Sequence, residues 1–330
     1  MRDLKATNDL LGDDLFRSCM TLDHLLQANG YLFFRGVLDP AVIQAVRAEY
    51  LIALQEAGVV DPESVEPVWN GAGARRVVAA VEGLKARNPW RILGADPTLA
   101  RILRVIMGGE YTWLPLITYR VSPPLERPAL CRDAMCRFVR VHQDGYNNPS
   151  LTFVIFWLPL MLIDEEVGGL AIAEGFHKAV LPHDTSGPTK FGISKGVIPD
   201  EAWATTTFRS GDMVVMDALT PHTGLTNHSD RFRLSIDFRL SPQCRRPILG
   251  RLLAIDSDEL SIRTDEGETI DLRINDSTAF PYRRGSALDN GGRIPRAEVA
   301  DYLTVGQRIL ATHEAGHAQL VRGFDAGPRG

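Results

Sequence analysis

The sequence predicts a mainly β protein with flanking helices and a double-stranded β-helix (jelly-roll, cupin-like) core. One observation is a series of strand-like runs within residues 111–245, separated by Gly, Pro and Asn: YTWLPLITYRV, CRFVRVHQD, LTFVIFWLPLMLI, DMVVMD and RFRLSIDFRL. The other is that the patterns of helical spacing fall mainly in residues 1–110. This arrangement is typical of an all-β jelly roll rather than of alternating βαβ units.

Length and composition favour a soluble enzyme. A chain of 330 residues is long for one domain, but barrels and sandwiches of this size are often single domains, and we predict one domain over 1–330. The net charge of −5 indicates no binding of nucleic acid. The charged start MRDLKATNDLLGDD and the lack of a membrane-length apolar run predict a cytoplasmic protein without membrane contact. The oligomeric state is left open.

The N-terminal region, residues 1–110, is predicted to be largely helical. The stretch DPAVIQAVRAEYLIALQEAG has apolar residues at helical spacing, begins with Asp39-Pro40 as cap and first turn, and ends at Gly58. A second helix is predicted for PTLARILRVIMG, ending near Gly108. The apolar run YLFFRGVL predicts a buried strand in the same region.

Two further regions follow the jelly-roll core at 111–245. Residues 246–290 predict an accessory β-hairpin region, because RLLAIDSDELSIRTDEGETIDLRI alternates around a Glu266-Gly267 turn. Residues 291–330 are predicted to form a C-terminal helical tail with a frayed end. The sequence leaves open whether the hairpin region covers a site or forms an oligomer contact.

Three residues are candidate ligands of one metal ion: His142 and Asp144 in VHQDGY, and His222 in DALTPHTGL. Two imidazoles and one carboxylate on the same face of a metal leave the opposite positions open, which is the arrangement of non-haem Fe(II) oxygenases. A His-x-Asp triplet alone is common by chance. The residues that follow His222 therefore determine whether this triplet indicates a metal site.

The last core strand supplies a candidate anion site. Arg233 lies eleven residues after His222, and the alternation of RFRLSIDFRL places Arg233 and Ser235 on one face. A guanidinium binds a carboxylate through two parallel hydrogen bonds, and a hydroxyl two residues along the strand can add a third. A dicarboxylate cosubstrate would fit there, although the pair alone would also fit a solvated strand face.

The order of these motifs resembles the phytanoyl-CoA dioxygenase superfamily of Fe(II)/2-oxoglutarate-dependent oxygenases. The resemblance covers about residues 110–240 and rests on HQD, LTFVIFWLPL, VGGLAIAEGFHK, SGDMVVMDALTPH and NHSDRFRLSIDFRL. It implies an enzyme that uses Fe(II), 2-oxoglutarate and O₂ to oxidise a small molecule of secondary metabolism. Hydroxylation is the expected outcome, with desaturation and cyclisation as alternatives that need the same residues.

The resemblance implies a role for each motif. The implied iron ligands are His142, Asp144 and His222. The implied cofactor-binding residues are Arg233, which would hold the distal carboxylate of 2-oxoglutarate, and Ser235, Trp157 and Gln143. Because halogenating relatives carry a small residue where this chain has Asp144, the chain is not expected to halogenate its substrate.

The chain departs from the family pattern at two places. Glu174-Gly175-Phe176-His177 replaces the usual Pro-Gly-Ser-His, so this loop is expected to follow a different path. Gly224 replaces a hydroxyl residue that is frequent two positions after the distal His, which removes one contact to the cosubstrate.

Candidate substrate contacts are the residues next to the ligands on strands or loops: Trp113, Tyr119, Arg120, Tyr146, Asn147 and His177. Aromatic rings combined with Asn and Arg suit a polar small molecule better than a bare lipid. A coenzyme A thioester stays open as a substrate, but no obvious basic cluster for its phosphates is present.

Other functions were weighed against the oxygenase. The sequence HEAGH at His313–His317 matches a zinc metalloprotease signature, in which two His one helical turn apart bind zinc. The 13 residues that follow contain neither His nor Glu as a third ligand, and Gly316 weakens a helix. A non-catalytic cupin-like ligand-binding protein and a metal-dependent epimerase or isomerase are further alternatives.

The four cysteines are predicted to be reduced. Cys131 and Cys136 could be a metal-binding pair, but the second pair that a zinc site needs is missing from the sequence.

Overall fold

The computed structural model describes residues 1–11, 18–124, 141–184, 192–194, 196–281 and 294–324. The chain divides into two compact units. Unit 1 comprises 1–141, 153–179 and 195–243, and unit 2 comprises 142–152, 180–194 and 244–330. One domain over 1–330 stays a prediction. None of the helices in the described ranges is both long and apolar enough to cross a membrane.

Helices occupy much of the N-terminal part of unit 1, as predicted. They are α1 Thr7–Leu11, α2 Cys19–Asn29, α3 Pro40–Glu56, α4 Ala74–Arg87, α5 Trp90–Ala95 and α6 Pro97–Ile106. Helix α3 begins where the Asp39 side chain accepts a hydrogen bond from the amide of Ala41, with Pro40 in its first turn. The side chain of Asp96 caps α6 in the same way. Both predicted helices are therefore confirmed.

Two sheets form the jelly roll in unit 1, which confirms the predicted fold class. Their strands are β1 Arg2–Asp3, β2 Tyr31–Phe34, β3 Tyr111–Trp113, β4 Thr118–Ser122, β5 Val154–Pro159, β6 Leu170–Ala173, β7 Trp203–Thr205, β8 Met213–Asp217, β9 His222–Gly224 and β10 Arg233–Pro242. The larger sheet has the order β2-β8-β5-β10-β3, with β4 also paired to β10, and the smaller has the order β1-β7-β6-β9. Most of the predicted strand CRFVRVHQD lies outside the described residues.

Strand β10 is buried on both faces, and its alternation is as predicted. One face carries Leu234, Ile236 and Phe238, which are fully buried against aromatic and aliphatic side chains. The other face carries Arg233, Ser235, Asp237 and Arg239, which are also buried. Burial of four polar side chains on one strand face requires partners for their hydrogen-bonding groups. This polar face of β10 is therefore a candidate location for a binding site.

A closed five-stranded barrel forms most of unit 2, in the order β11-β12-β13-β15-β14. Its elements are β11 Ile248–Ile255, β12 Glu259–Thr264, β13 Thr269–Arg273, α7 Val299–Tyr302, β14 Arg308–Glu314 and β15 His317–Phe324. The predicted turn at Glu266-Gly267 joins β12 to β13, and Gly267 has the positive φ of 91° that such a turn favours. The barrel core is apolar and includes Leu252, Ile262, Leu272, Ile309 and Val321.

The prediction of a helical tail over 291–330 is wrong for residues 308–324, which form β14 and β15. Ala315 and Gly316 both have positive φ, at 49° and 78°, and Glu314 pairs with His317 across them. This is the backbone of a two-residue hairpin turn, which a helix cannot contain. His313 and His317 therefore lie on adjacent strands rather than one helical turn apart. The metalloprotease alternative loses the geometry on which it depends.

Short 3₁₀ helices complete the described elements: Asp144–Asn147, Asp200–Ala202, Gln243–Arg245 and Arg296–Glu298. The first of them begins at one of the predicted metal ligands. Of the four cysteines, Cys19 and Cys244 are exposed and not in a disulfide, and Cys131 and Cys136 lie outside the described residues.

Candidate metal centre

The three predicted ligands lie together. Ligand atoms of His142, Asp144 and His222 are all within 4.8 Å of one another. Nε2 of His142 is 3.3 Å from Oδ1 of Asp144. Ligand atoms about 2.1 Å from a first-row metal, at right angles to each other, are about 3 Å apart. The His142–Asp144 distance is close to this value, and His222 completes a set of the side chains that a metal binding imidazole and carboxylate uses.

His222 is oriented by its own backbone surroundings. It lies on β9 opposite Ile172 of β6 and is buried. Its Nδ1 is 3.0 Å from the carbonyl oxygen of Thr220, and because a carbonyl only accepts, Nδ1 carries the proton. Nε2 is then the unprotonated ligand atom. A hydrogen bond from the other ring nitrogen is the usual way in which proteins fix the orientation of a metal-binding His.

Gln143 separates the other two ligands and faces away from them. Its backbone is extended, with φ −116° and ψ 125°, so its side chain points opposite to those of His142 and Asp144. The side chain is fully buried, and its Oε1 accepts a hydrogen bond of 2.8 Å from the amide of Leu181. The structure thus places Gln143 where it connects the ligand segment to residues 180–184.

Arg233 reaches from β10 to the start of β6. Its Nη1 donates to the carbonyl oxygens of Gly168, Gly169 and Leu225, the last two at 3.3 and 3.0 Å, and its Nη2 donates to Oγ of Ser122 at 3.2 Å. The residue is 7% exposed. Within the described ranges, no carboxylate lies at ion-pair distance from Arg233.

Burial, together with a smaller effect of the positive charge of nearby Arg120, lowers the pKa of Arg233 to about 10. Even so, the guanidinium is protonated at neutral pH. A buried charge whose described partners are all neutral is costly, and an anion bound against it would reduce that cost.

Ser235 and Trp157 form one hydrogen-bonded pair beside Arg233. The indole Nε1 of Trp157 donates to Oγ of Ser235 at 3.1 Å, and both side chains are buried. Trp157 lies on β5 opposite Asp237, and its ring makes an edge contact with Phe208. Three of the four predicted cofactor-binding residues therefore share one face of the larger sheet.

Sequence reasoning did not predict that Gly224 and Gly168 pack closely around Arg233. A Cβ at Gly224 would be 2.5 Å from Nη2 of Arg233, and a Cβ at Gly168 would collide with the carbonyl of Thr226. The guanidinium occupies the space that a side chain at Gly224 would need, and the backbone of Thr226 occupies the space beside Gly168. The Gly-Gly pair in VGGL was the available signal, because adjacent glycines indicate close backbone approach.

The candidate substrate residues of β3 and β4 fall on different faces. Trp113 packs against Trp90 and Phe238, and Tyr119 makes an edge contact with Tyr50, so both lie on the apolar face of the larger sheet. Arg120 lies opposite Ser235 on the polar face, and its Nε donates to Oδ1 of Asp237 at 2.6 Å.

The remaining candidates lie in loops. Tyr146 stacks on His183, with ring centroids 3.8 Å apart and planes 3° from parallel. Asn147 is half-buried in the same 3₁₀ helix. Nε2 of His177 is 3.0 Å from the carbonyl of Gln27 in the last turn of α2, where it satisfies a helix C-terminus. His183 was not among the predicted site residues.

The chain is similar to several known proteins. The family model described as phytanoyl-CoA dioxygenase (PhyH) matches residues 26–235. A 1-deoxypentalenic acid 11-beta-hydroxylase of Streptomyces exfoliatus is 25% identical over 237 residues, covering 67% of this chain and 80% of that protein. The hydroxylase of the same description from Streptomyces arenae is 26% identical over the same shares. The crystal structure of EvdO2 from Micromonospora carbonacea var. aurantiaca complexed with 2-oxoglutarate is 18% identical, with a TM-score of 0.46, covering 67% of this chain and 92% of that chain.

Proposed function

This chain belongs to the phytanoyl-CoA dioxygenase family, and from that premise we propose that His142, Asp144 and His222 are the protein ligands of its Fe(II). The enzyme is a non-haem Fe(II)/2-oxoglutarate-dependent oxygenase that acts on a small molecule. The observation that carries the ligand assignment is the approach of the three ligand atoms to within 4.8 Å. The hydrogen bond from His222 to Thr220 supports it, since it leaves Nε2 unprotonated.

When bound, Fe(II) with 2-oxoglutarate and O₂ supplies the oxidising chemistry, in which the cosubstrate is converted to succinate and CO₂ and a substrate C–H becomes C–OH. The residues of the chain bind and orient the participants. Asp144 contributes one negative charge and the two His are neutral, so the protein offsets half of the charge of a divalent cation. Because the chain offers three ligands, a six-coordinate Fe(II) held by them would have positions left for the cosubstrate and for O₂.

Arg233 is the proposed anchor for the carboxylate of 2-oxoglutarate that is remote from the metal. It is a buried, protonated cation without a described carboxylate partner, and a guanidinium can bind a carboxylate through two hydrogen bonds. Ser235 adds a hydroxyl on the same strand face, and its bond with Trp157 fixes both side chains. For Gln143 we propose a supporting role, because its side chain is bonded to Leu181.

The proposed substrate contacts are residues near Asp144. The stacked rings of Tyr146 and His183 form a flat surface two residues from that ligand. Stacked aromatic rings bind planar or apolar parts of a small molecule, and half-buried Asn147 offers an amide for polar groups. Hydroxylation of a small molecule with both apolar and polar parts is the reaction we propose.

The ligand assignment is tested by changing each ligand to Ala in the full-length chain. We expect His142→Ala, Asp144→Ala and His222→Ala each to weaken anaerobic Fe(II) binding and to abolish substrate-dependent succinate formation. A site that loses one of three ligands loses a large part of its affinity, whereas folding does not depend on the metal ligands alone. Binding is measured by equilibrium titration and folding by circular dichroism.

His313→Ala is the matched control, because His313 is an exposed His on β14. It should leave Fe(II) affinity and succinate formation at the values of the unchanged protein. Full activity in His222→Ala, or loss of bound metal in His313→Ala alone, would contradict the assignment.

A further inference from the structure

The segment that carries two of the proposed ligands is hydrogen-bonded to the C-terminal barrel within unit 2. Nη1 of Arg322, on β15, donates to Oδ1 of Asn148 at 2.6 Å. Nδ2 of Asn148 in turn donates to the carbonyl oxygen of Asp144 at 2.8 Å. One amide side chain therefore connects a barrel arginine to the backbone of a proposed iron ligand.

A second contact connects the same two parts of unit 2. Oγ of Ser150 is 2.8 Å from Oγ1 of Thr312 on β14. Ile309, Ala311 and Val321 point into the barrel core, so Thr312 and Arg322, on alternate positions of the paired strands, lie on the outer face of the β14–β15 hairpin. The hairpin thus offers two polar groups to the segment 142–152.

We propose that the barrel is a positioning element of the metal centre, and that Arg322 is a positioning residue that acts on Asp144 through Asn148. The inference rests on the proposed function, because it takes Asp144 as an iron ligand. Family membership does not supply it, since the matched region ends at residue 235 and the barrel begins at residue 248.

The physical reason lies in the weakness of the 3₁₀ turn that begins at Asp144. A single short 3₁₀ turn has poor hydrogen-bond geometry and little stability of its own. Asn148 is 8% exposed, and its side chain donates a hydrogen bond to the carbonyl oxygen of Asp144 in addition to the backbone hydrogen bonds of the turn. A charged donor on Oδ1 polarises the amide, so the bond from Nδ2 to Asp144 becomes stronger. Removing Arg322 should therefore loosen the Asp144 backbone and, with it, the carboxylate.

The experiment measures the Kd for Fe(II), anaerobically and without turnover, in the full-length protein. Loss of a group that supports a metal ligand costs about 10- to 100-fold in metal affinity. Because Arg322 acts through one intervening residue, we expect Arg322→Met to raise the Kd by about 10-fold, at the low end of that range. Arg322→Lys keeps a charged donor and should recover most of the affinity.

Arg308→Met is the matched control. Arg308 is another barrel arginine, on β14, and it forms a two-bond ion pair with Asp265 rather than a contact with the ligand segment. It removes the same charge and the same side-chain type, so it measures any general effect of a weaker barrel. The Kd for Fe(II) of Arg308→Met should equal that of the unchanged protein.

A double-mutant cycle separates positioning from destabilisation. If Arg322 acts through Asn148, the double variant Arg322→Met/Asn148→Ala should bind Fe(II) no more weakly than Asn148→Ala alone. Additive losses, or a Kd for Arg322→Met equal to that of Arg308→Met, would overturn the proposal. If Arg322→Met does not fold, Arg322→Gln and the Asn148→Ala variant provide the same comparison.

Asp144→Ala, measured in parallel, separates this inference from the proposed function. A large loss in Asp144→Ala with no loss in Arg322→Met overturns only the positioning role. An unchanged Kd in Asp144→Ala overturns the ligand assignment and the positioning role together.

Discussion

Arg233 is a buried cation whose described partners are backbone carbonyls and a hydroxyl. A charged bidentate contact to a buried carboxylate is worth on the order of 1.5–3 kcal/mol, which is roughly 10- to 150-fold in affinity. Lys retains the charge without the two-pronged geometry, and Met retains neither. We therefore expect the affinity for 2-oxoglutarate to fall modestly in Arg233→Lys and steeply in Arg233→Met, as measured by calorimetric titration.

Iron binding by the His and Asp ligands should stay near that of the unchanged protein in both Arg233 variants. If both variants bound 2-oxoglutarate as well as the original, the anchor would have to be another arginine. Arg239, on the same strand face, would then be the residue to test, because it too is buried.

Gly224 provides an independent test of the same anchor. A Cβ at this position would be 2.5 Å from Nη2 of Arg233, so Gly224→Ala must displace the guanidinium or the strand. We expect a loss of 2-oxoglutarate affinity smaller than that of Arg233→Met, and little further loss when the two changes are combined. Gly73→Ala is the control, since its Cβ would meet nothing within 4 Å. Equal affinities in the two Ala variants would contradict the close packing of Gly224 against Arg233.

For single residues, the sequence shows which side chains have the chemistry of a site, but it does not show which residues they contact. His142, Asp144 and His222 could be selected because metal ligands come from a small set of side chains in a recurring order. Asn148 and Arg322 could not, because an amide and an arginine 174 positions apart carry no local pattern that relates them. Trp113 and Tyr119 were grouped with the site because their strands were expected next to the ligands, which does not distinguish the two faces of a sheet.

The β14–β15 hairpin is the element in which the structure differs from the predicted helix. Its turn residues, Ala315 and Gly316, both have positive φ. An L-residue other than Gly in this left-handed region costs roughly 1–2 kcal/mol, and Asn tolerates it better than Ala. Ala315→Asn should therefore raise the free energy of unfolding by up to about 1 kcal/mol, which urea denaturation can measure.

The sign of that change discriminates between the two structures. In the helix that HEAGH suggested, Asn would be less favourable than Ala by up to about 0.7 kcal/mol, and the variant would be less stable. A decrease in stability for Ala315→Asn would thus contradict the hairpin. The Kd for Fe(II) should be unchanged in this variant, because the turn is exposed and lies at the end of the barrel strands.

Two hairpins of the barrel, β12–β13 and β14–β15, show which turns can be predicted from sequence. The turn between β12 and β13 was predictable, because Glu266-Gly267 lies between runs with period-two alternation. The turn at Ala315-Gly316 was not, because Ala is a helix former and the two His are also spaced by one helical turn. The strand alternation of Ile309 and Ala311 was present but too short to predict a strand.

Closure of the barrel could not be derived from periodicity. It depends on β15 pairing in parallel with β13, where Arg273 lies opposite His317. Such a pairing joins segments that are distant in the chain, and local patterns specify neither partner nor register. The jelly roll was predictable as a class for the opposite reason, since its strands and turns follow one another with regular spacing.

The proposed metal centre forms only when the chain is folded, because its ligands come from residues 142–144 and from residue 222, which are distant in sequence. An unfolded chain does not hold these side chains together, so Fe(II) binds the folded state selectively and stabilises it by mass action. At a free metal concentration of 100 times Kd the gain in free energy of unfolding is about 2.7 kcal/mol.

Anaerobic Fe(II) should therefore raise the Tm, and 2-oxoglutarate should raise it further only when Fe(II) is present and Arg233 is intact. Asp144→Ala should lose most of the first increase, and Arg233→Met should lose only the second. An equal increase in Tm for Asp144→Ala and the unchanged protein would show that the stabilising metal binds somewhere else.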